Sequence, residues 1–478
     1  MIAPQRVAKN TIISLGSALA QKLVTLLYFI AVANYYGPQD QGGYSSALAF
    51  ATLMAVFVDL GISSAMTREV ARQKTGSSVF VGQMFFLRIA ACVFVYPMII
   101  LAAHVAHYPK EIISMIYIAG IIALLDTFTV AAWSTIRGFQ NLLYESIGGL
   151  AGVLVMVGSG FGFIAAGLPI VSLLYSILFG SIVNFFISFF VLFCRCGFVI
   201  SLRPSVSSCR QLLTLSLPFI GAAIFSRIYT FTDMSLLPLL ASAHAAGWYA
   251  AAAKIMLALN IIPAAFSSSL YPAISASYID AKERVGFLCS RGIAYLMMLA
   301  LPLGTGILLL SGHIVLFVYK EAYTPTIYVW QLLVPGIIAG FLMFPLGALL
   351  AGINRQGVNT AIFALAALLN VTSNFLLIPL FAERGAAISA SATYLLIFFA
   401  SLYFCWPYIR PHTQYLGSMF VKICMASVAM GVCIFFLRDT IHIIFTVLAG
   451  IIVYTLTAFL FRVMNIREFR SFFITARK

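Results

Sequence analysis

Apolar stretches, each about long enough to cross a bilayer as a helix, follow one another with little interruption from Thr11 to Phe461. Roughly fourteen can be marked. They cover residues 11–33, 43–65, 83–104, 112–132, 146–167, 170–193, 211–240 and 247–270, then 292–314, 328–351, 358–380, 385–406, 417–437 and 441–462. A hydrocarbon core of about 30 Å takes about twenty helical residues to span. The pattern therefore predicts an all-α polytopic membrane protein. The longest connections hold about twenty residues, too few for a folded soluble domain.

The polar connections are of two kinds. One set carries Arg6 and Lys9; Arg68, Arg72 and Lys74; Arg137; Arg195, Arg203 and Arg210; Lys282, Arg284 and Arg291; Arg355; Arg410 and Lys422; and Arg462, Arg467, Arg470, Arg477 and Lys478. The other set holds Lys110, Lys320, Arg384 and Arg438. Cytoplasmic loops are enriched in Lys and Arg, so the first set is expected in the cytoplasm with both termini. The expected setting is a bacterial inner membrane.

Composition agrees: 62% of residues are hydrophobic and 9% charged, which excludes a soluble globular chain. The net charge of +15 follows from the basic loops and points to anionic lipid headgroups, not nucleic acid. The segment from Thr11 to Ala33 is too long for the apolar part of a cleavable signal and is read as the first span. The eight cysteines are scattered, and Cys194-x-Cys196 lacks the second half of a zinc site. His104, His107, His244, His313, His412 and His442 show no metal spacing, no nucleophilic triad is evident, and no phosphate-binding loop of the G-x-x-x-x-G-K type is present. No cofactor and no enzyme activity are expected.

An internal repeat appears at a constant offset of 205. Ala18-Leu-Ala-Gln-Lys22-Leu-Val-Thr25 aligns with Ala223-Ile-Phe-Ser-Arg227-Ile-Tyr-Thr230, and Gly42-Gly-Tyr44 aligns with Gly247-Trp-Tyr249. Six spans separate the copies, so both keep one orientation, related by an axis along the membrane normal. The expected organisation is an N-lobe over 1–195, a C-lobe over 210–407, and two additional helices with a tail over 417–478.

Apart from Lys422 and Arg462, close to span ends and counted with the connections, seven charged residues fall inside the spans: Lys22, Arg88, Arg227 and Lys254, with Asp59, Asp126 and Asp233. Each costs about 2.5–3.5 kcal/mol at mid-bilayer unless it is paired or faces water. Lys22 and Arg227 occupy matched places in the repeat. With Lys254 they are read as a cationic lining that would hold a phosphate-bearing substrate, and Arg88 is a further candidate. Arg88 and Asp59, near the same ends of adjacent spans, could instead pair structurally. Asp126 and Asp233, with Asp59, are candidates for coupling to H⁺ or Na⁺. Pro218, Pro238, Pro263, Pro272, Pro302, Pro335, Pro345 and Pro379 lie in or beside spans, where proline kinks a helix.

Several short motifs, in order, resemble the polysaccharide-transporter family, the O-unit flippases related to lipid II flippases and multidrug and toxin extruders. They are Val58-Asp59-Leu-Gly61-Ile with Thr67-Arg68-Glu69-Val-Ala-Arg72, then Arg137-Gly138-Phe-Gln140 and Leu215-Ser-Leu-Pro218-Phe. Next come Gly247-Trp-Tyr249 leading to Lys254-Ile, then Tyr271-Pro272, and finally Asn370, Asn374 and Ile378-Pro379 before Gly385-Ala-Ala387-Ile. The resemblance implies fourteen helices in two lobes working by alternating access. It further implies an undecaprenyl-pyrophosphate-linked oligosaccharide, such as an O-antigen repeat of lipopolysaccharide, as substrate. A polysaccharide polymerase and a chain-length regulator are the protein partners it suggests. The first span lacks a dense arginine cluster, which favours such a repeat unit over lipid II. A cation-coupled drug exporter is the rival reading. Such exporters favour acidic cavities, whereas here the intramembrane cations outnumber the acids.

Overall fold

The computed structural model describes residues 4–72, 77–139, 142–195, 205–280 and 282–463. Lys74, Gln140, Cys196, Arg203 and the basic tail with Arg467, Arg470, Arg477 and Lys478 lie outside the described residues. No strand occurs among the described residues. In hydrocarbon every backbone N–H and C=O must be satisfied internally, and a helix does this within each segment.

The helices are α1 (Pro4–Met54), α2 (Val56–Asp59), α3 (Ile62–Arg72), α4 (Ser77–Val105), α5 (Lys110–Gly138), α6 (Leu143–Ala165) and α7 (Ser172–Phe190). Then come α8 (Val206–Leu240), α9 (Ala243–Leu259), α10 (Ile261–Asp280), α11 (Lys282–Tyr319), α12 (Thr326–Gly352), α13 (Gln356–Ile409), α14 (Thr413–Leu437) and α15 (Ile443–Leu460). Among the described residues ten helices are long and apolar enough to cross a membrane, or eleven counting the bent pair Ser207–Leu217 and Phe219–Leu240.

Two of these helical runs each hold more than one predicted span. Gly16–Asp59 breaks at Gly37, whose φ of 82° is open to glycine and whose neighbour Pro38 disfavours the helical region before it. Gln356–Leu437 breaks at Ala382, where φ is 49° in a residue that carries a Cβ. These two breaks, with the 3₁₀ turn Arg410–His412 between α13 and α14, account for the difference between eleven long helices and fourteen apolar stretches.

The chain divides into two compact units, Met1–Ala250 and Ala251–Lys478. In the first, α1 packs on α5, α6 and α8, α6 pairs with α7, and α3 lies against both α5 and α8. The seventh span, α8, is thus packed among the first six, so the units are not cut at the 196–209 connection where the repeat divides. A core of Tyr28, Val32, Tyr44, Phe50, Ile99, Ile112 and Ile116 fills one end, and Met66, Met84, Phe85, Trp133 and Ile136 fill another. Amphipathic α3 turns Ile62, Met66 and Val70 inward and Arg68 outward. In the second unit α12 packs on α10, α11 and α13, and the α14–α15 pair docks on α11 through Leu310, Met430 and Ile434.

Large apolar side chains also cover the outside. Leu23, Phe94, Phe186, Tyr403 and Phe436 are exposed in both units. On a soluble protein so many would form aggregating patches; here they are the surface that lipid tails solvate.

Candidate functional site

The seven intramembrane charges separate by their surroundings. Arg88 is 0% exposed on α4, and one nitrogen is ion-paired to Asp59 at the end of α2. It also donates to the Ser63 hydroxyl at 2.7 Å and to the Thr127 carbonyl, and Ser63 donates to Asp59 at 2.5 Å. This knot ties α2, α3, α4 and α5 together next to the left-handed turn at Leu60 and Gly61. Of the two readings of Arg88 and Asp59, the structural pair is the one the geometry realises.

Asp233 is likewise enclosed, 3% exposed on α8, and accepts a hydrogen bond of 2.7 Å from the Tyr249 hydroxyl. Asp126 is half-buried on α5 with the Ser181 hydroxyl of α7 as a hydrogen-bond partner.

Lys22 and Arg227 differ from the rest. Both are exposed, on α1 and α8, which pack side by side within the first unit. Neither forms an ion pair among the described residues. Arg227 lies 5.6 Å from the centre of the Phe231 ring one turn along its own helix. Around Lys22 the α1 face is polar: Gln21 donates to the Ser17 hydroxyl at 3.0 Å, and Ser17 donates to the Ser146 carbonyl of α6 at 3.1 Å. Each is thus an exposed cation with no carboxylate partner among the described residues, the kind of group that binds an anion with several oxygens. Lys254 belongs to the second unit, on α9, and is half-buried.

The repeat gains a physical counterpart where its two glycine motifs meet. A Cβ at Gly42 would lie 1.8 Å from the Ala243 carbonyl oxygen, and one at Gly247 would lie 1.9 Å from the Pro38 carbonyl oxygen. The offset of 205 carries Pro38 to Ala243 and Gly42 to Gly247. The contact is therefore reciprocal: position 38 of one copy meets position 42 of the other, and the converse. Reciprocity of this kind is what a two-fold axis between the copies produces. The sequence displayed these glycines as a repeat but held no signal that they touch one another. Backbones this close leave no room for any side chain.

Among the described residues no group of three or more His, Cys, Asp or Glu could hold a metal ion. The class defined by this architecture is an all-α polytopic membrane protein. The model of the family described as polysaccharide biosynthesis protein matches residues 7–277, more than half of the chain, and the protein belongs to that family. A curated relative, the probable low-salt glycan biosynthesis flippase Agl15 of Haloferax volcanii, is 21% identical over 445 residues, 92% of this chain and 93% of its own length. Among solved structures, the lipid II flippase MurJ in an inward closed conformation superposes with a TM-score of 0.76 at 16% identity, covering 94% of this chain and 99% of its own. An inward-facing multidrug resistance MATE family transporter of the MOP superfamily gives 0.66 at 17% identity, over 86% and 98%. The protein shares its fold with both.

Proposed function

We propose that this protein is a flippase for a lipid-linked oligosaccharide whose phosphate or pyrophosphate group is held by Lys22 and Arg227, with Lys254 a further candidate ligand. The observation that carries the reading is the pair of exposed cations at matched repeat positions, without carboxylate partners among the described residues. A phosphate leaving bulk water needs charge-assisted donors, and Arg offers a planar fork where Lys offers a point charge. The family match, and a curated relative whose name places it in glycan biosynthesis as a flippase, support the same substrate class.

The mechanism proposed is alternating access. The headgroup enters from the cytoplasmic side of a bacterial inner membrane, where the basic loops and both termini lie, and leaves on the periplasmic side. The substrate is an undecaprenyl-pyrophosphate-linked repeat unit of an O-antigen or related surface polysaccharide, passed on to a polymerase and its chain-length regulator. Asp126 and Asp233 are the groups through which an H⁺ or Na⁺ gradient would act. Arg88 and Asp59 serve by holding α2 to α5 in register.

Liposomes carrying the purified protein and an undecaprenyl-pyrophosphate-linked oligosaccharide test this. Glycan reaching an external sugar-modifying enzyme, faster under a pH or Na⁺ gradient, is the expected result, with no efflux of ethidium in a parallel sample. Efflux of the dye without glycan movement would make the protein a drug exporter. Movement of lipid II alone would keep the phosphate site and replace the substrate.

A further inference from the structure

Apart from Lys22 and Arg227, the basic connections of the second unit bring cations and aromatic rings together at one edge. The Arg291 guanidinium on α11 lies 4.3 Å from the ring centre of Tyr415 on α14 and 5.1 Å from that of Phe287. Phe287 meets the His412 ring edge-on at 6.1 Å. Next to it, Gly286 lets α11 close onto the end of α13, where a Cβ would sit 2.1 Å from the Tyr408 carbonyl oxygen. Tyr408 is hydrogen-bonded to Tyr278 and lies within electrostatic reach of Arg355. Arg284, Arg355 and Arg410 are exposed, and Phe287 and Trp406 are 42% and 45% exposed.

Three separate connections, before α11, between α12 and α13, and between α13 and α14, thus place guanidinium groups at one end of the unit. All three belong to the basic set of loops. Aromatic rings of this kind favour the headgroup level of a bilayer, and Arg stems lie along apolar surface with the charge held at that level. A guanidinium already stacked between two rings has less freedom to lose when it binds an anion.

We propose that this edge binds the phosphodiester headgroup of an anionic phospholipid of the phosphatidylglycerol type. Arg291, held by Tyr415 and Phe287, is the central ligand, and Arg284 and Arg410 supply the surrounding charge. The lipid sits where α11, α13 and α14 join, so it braces the α14–α15 pair against the rest of the unit. The inference rests on the placement of these residues and is independent of what the protein transports.

The test is native mass spectrometry of the full chain released from detergent with phosphatidylglycerol, with phosphatidylcholine, or with inorganic phosphate. The expected result is preferential retention of phosphatidylglycerol. Arg284→Gln and Arg410→Gln should each weaken retention about fivefold, and the double variant about twenty-fivefold, since each cation near an anionic headgroup contributes a comparable amount. Arg384→Gln, stacked on Tyr328 at 4.1 Å on the sparsely charged side, should retain the lipid unchanged. Thermal midpoints without lipid should match wild type in all four variants, which separates lost binding from lost folding. Equal retention of the two lipids, uptake of phosphate without preference for the lipid, or full retention by the double variant would overturn the proposal.

Discussion

At the scale of single residues, burial separates charges that look alike in the sequence. Lys22, Arg227 and Arg88 are all intramembrane cations, yet Arg88 is enclosed with Asp59 while the other two are exposed. Removing an anchoring charge from a phosphate site forfeits a charge-assisted hydrogen bond of about 1.5–3 kcal/mol. Lys22→Ala and Arg227→Ala are therefore expected to slow transport about ten- to a hundredfold at unchanged abundance, and Arg227→Lys should be milder because the charge persists. Rates in proteoliposomes normalised to incorporated protein check this. Asp59→Ala should act through stability instead, because it leaves the Arg88 guanidinium buried without its partner. Breaking such a pair costs about 3–5 kcal/mol, so the variant should show a lowered thermal midpoint and poor recovery in detergent. That Arg88 and Asp59 could pair was legible from their places at the ends of neighbouring spans. The third and fourth partners, Ser63 and Thr127, were not, because hydroxyls and carbonyls give no pattern of their own in an apolar run.

At the scale of elements, the breaks and close contacts decide how the helices are arranged. Gly42 and Gly247 let two backbones meet, and a larger side chain at either position strikes a carbonyl oxygen. Gly42→Val and Gly247→Val should each hold α1 and α9 apart on the side carrying the weakly charged loops. In a background without native cysteines, Ala243→Cys should then react faster with a membrane-impermeant thiol reagent. Labelling no faster than in the glycine parent would show that the contact closes nothing. The turn at Ala382 makes a separate expectation. Its φ of 49° strains a residue with a Cβ by about 1–3 kcal/mol, so Ala382→Gly should raise the thermal midpoint and Ala382→Val should lower it. Gly37-Pro38 announced its break in the sequence, whereas Ala382 did not. An alanine carries no turn chemistry, and only the dip in hydropathy around Glu383 and Arg384 hinted at a turn.

At the scale of the whole molecule, hydropathy carried most of the fold. Segments of spanning length can satisfy their backbone only as helices, so element type followed directly from composition. The repeat was legible because Lys22 and Arg227 stand out against apolar neighbours. The reciprocal contact at Gly42 and Gly247, and the membership of α8 in the first unit, arise from packing between segments far apart in sequence. The short motifs pointed to the family that the match over 7–277 establishes. The substrate proposed for the protein is a lipid-linked oligosaccharide bearing an anionic phosphate or pyrophosphate.

The measurement that tests this most directly compares wild type with the Lys22→Ala and Arg227→Ala double variant in liposomes holding the same undecaprenyl-pyrophosphate-linked oligosaccharide. The account predicts glycan exposure with the wild type and exposure at the level of empty liposomes with the double variant, at equal incorporation. Glycan movement at the wild-type rate in the double variant would contradict it.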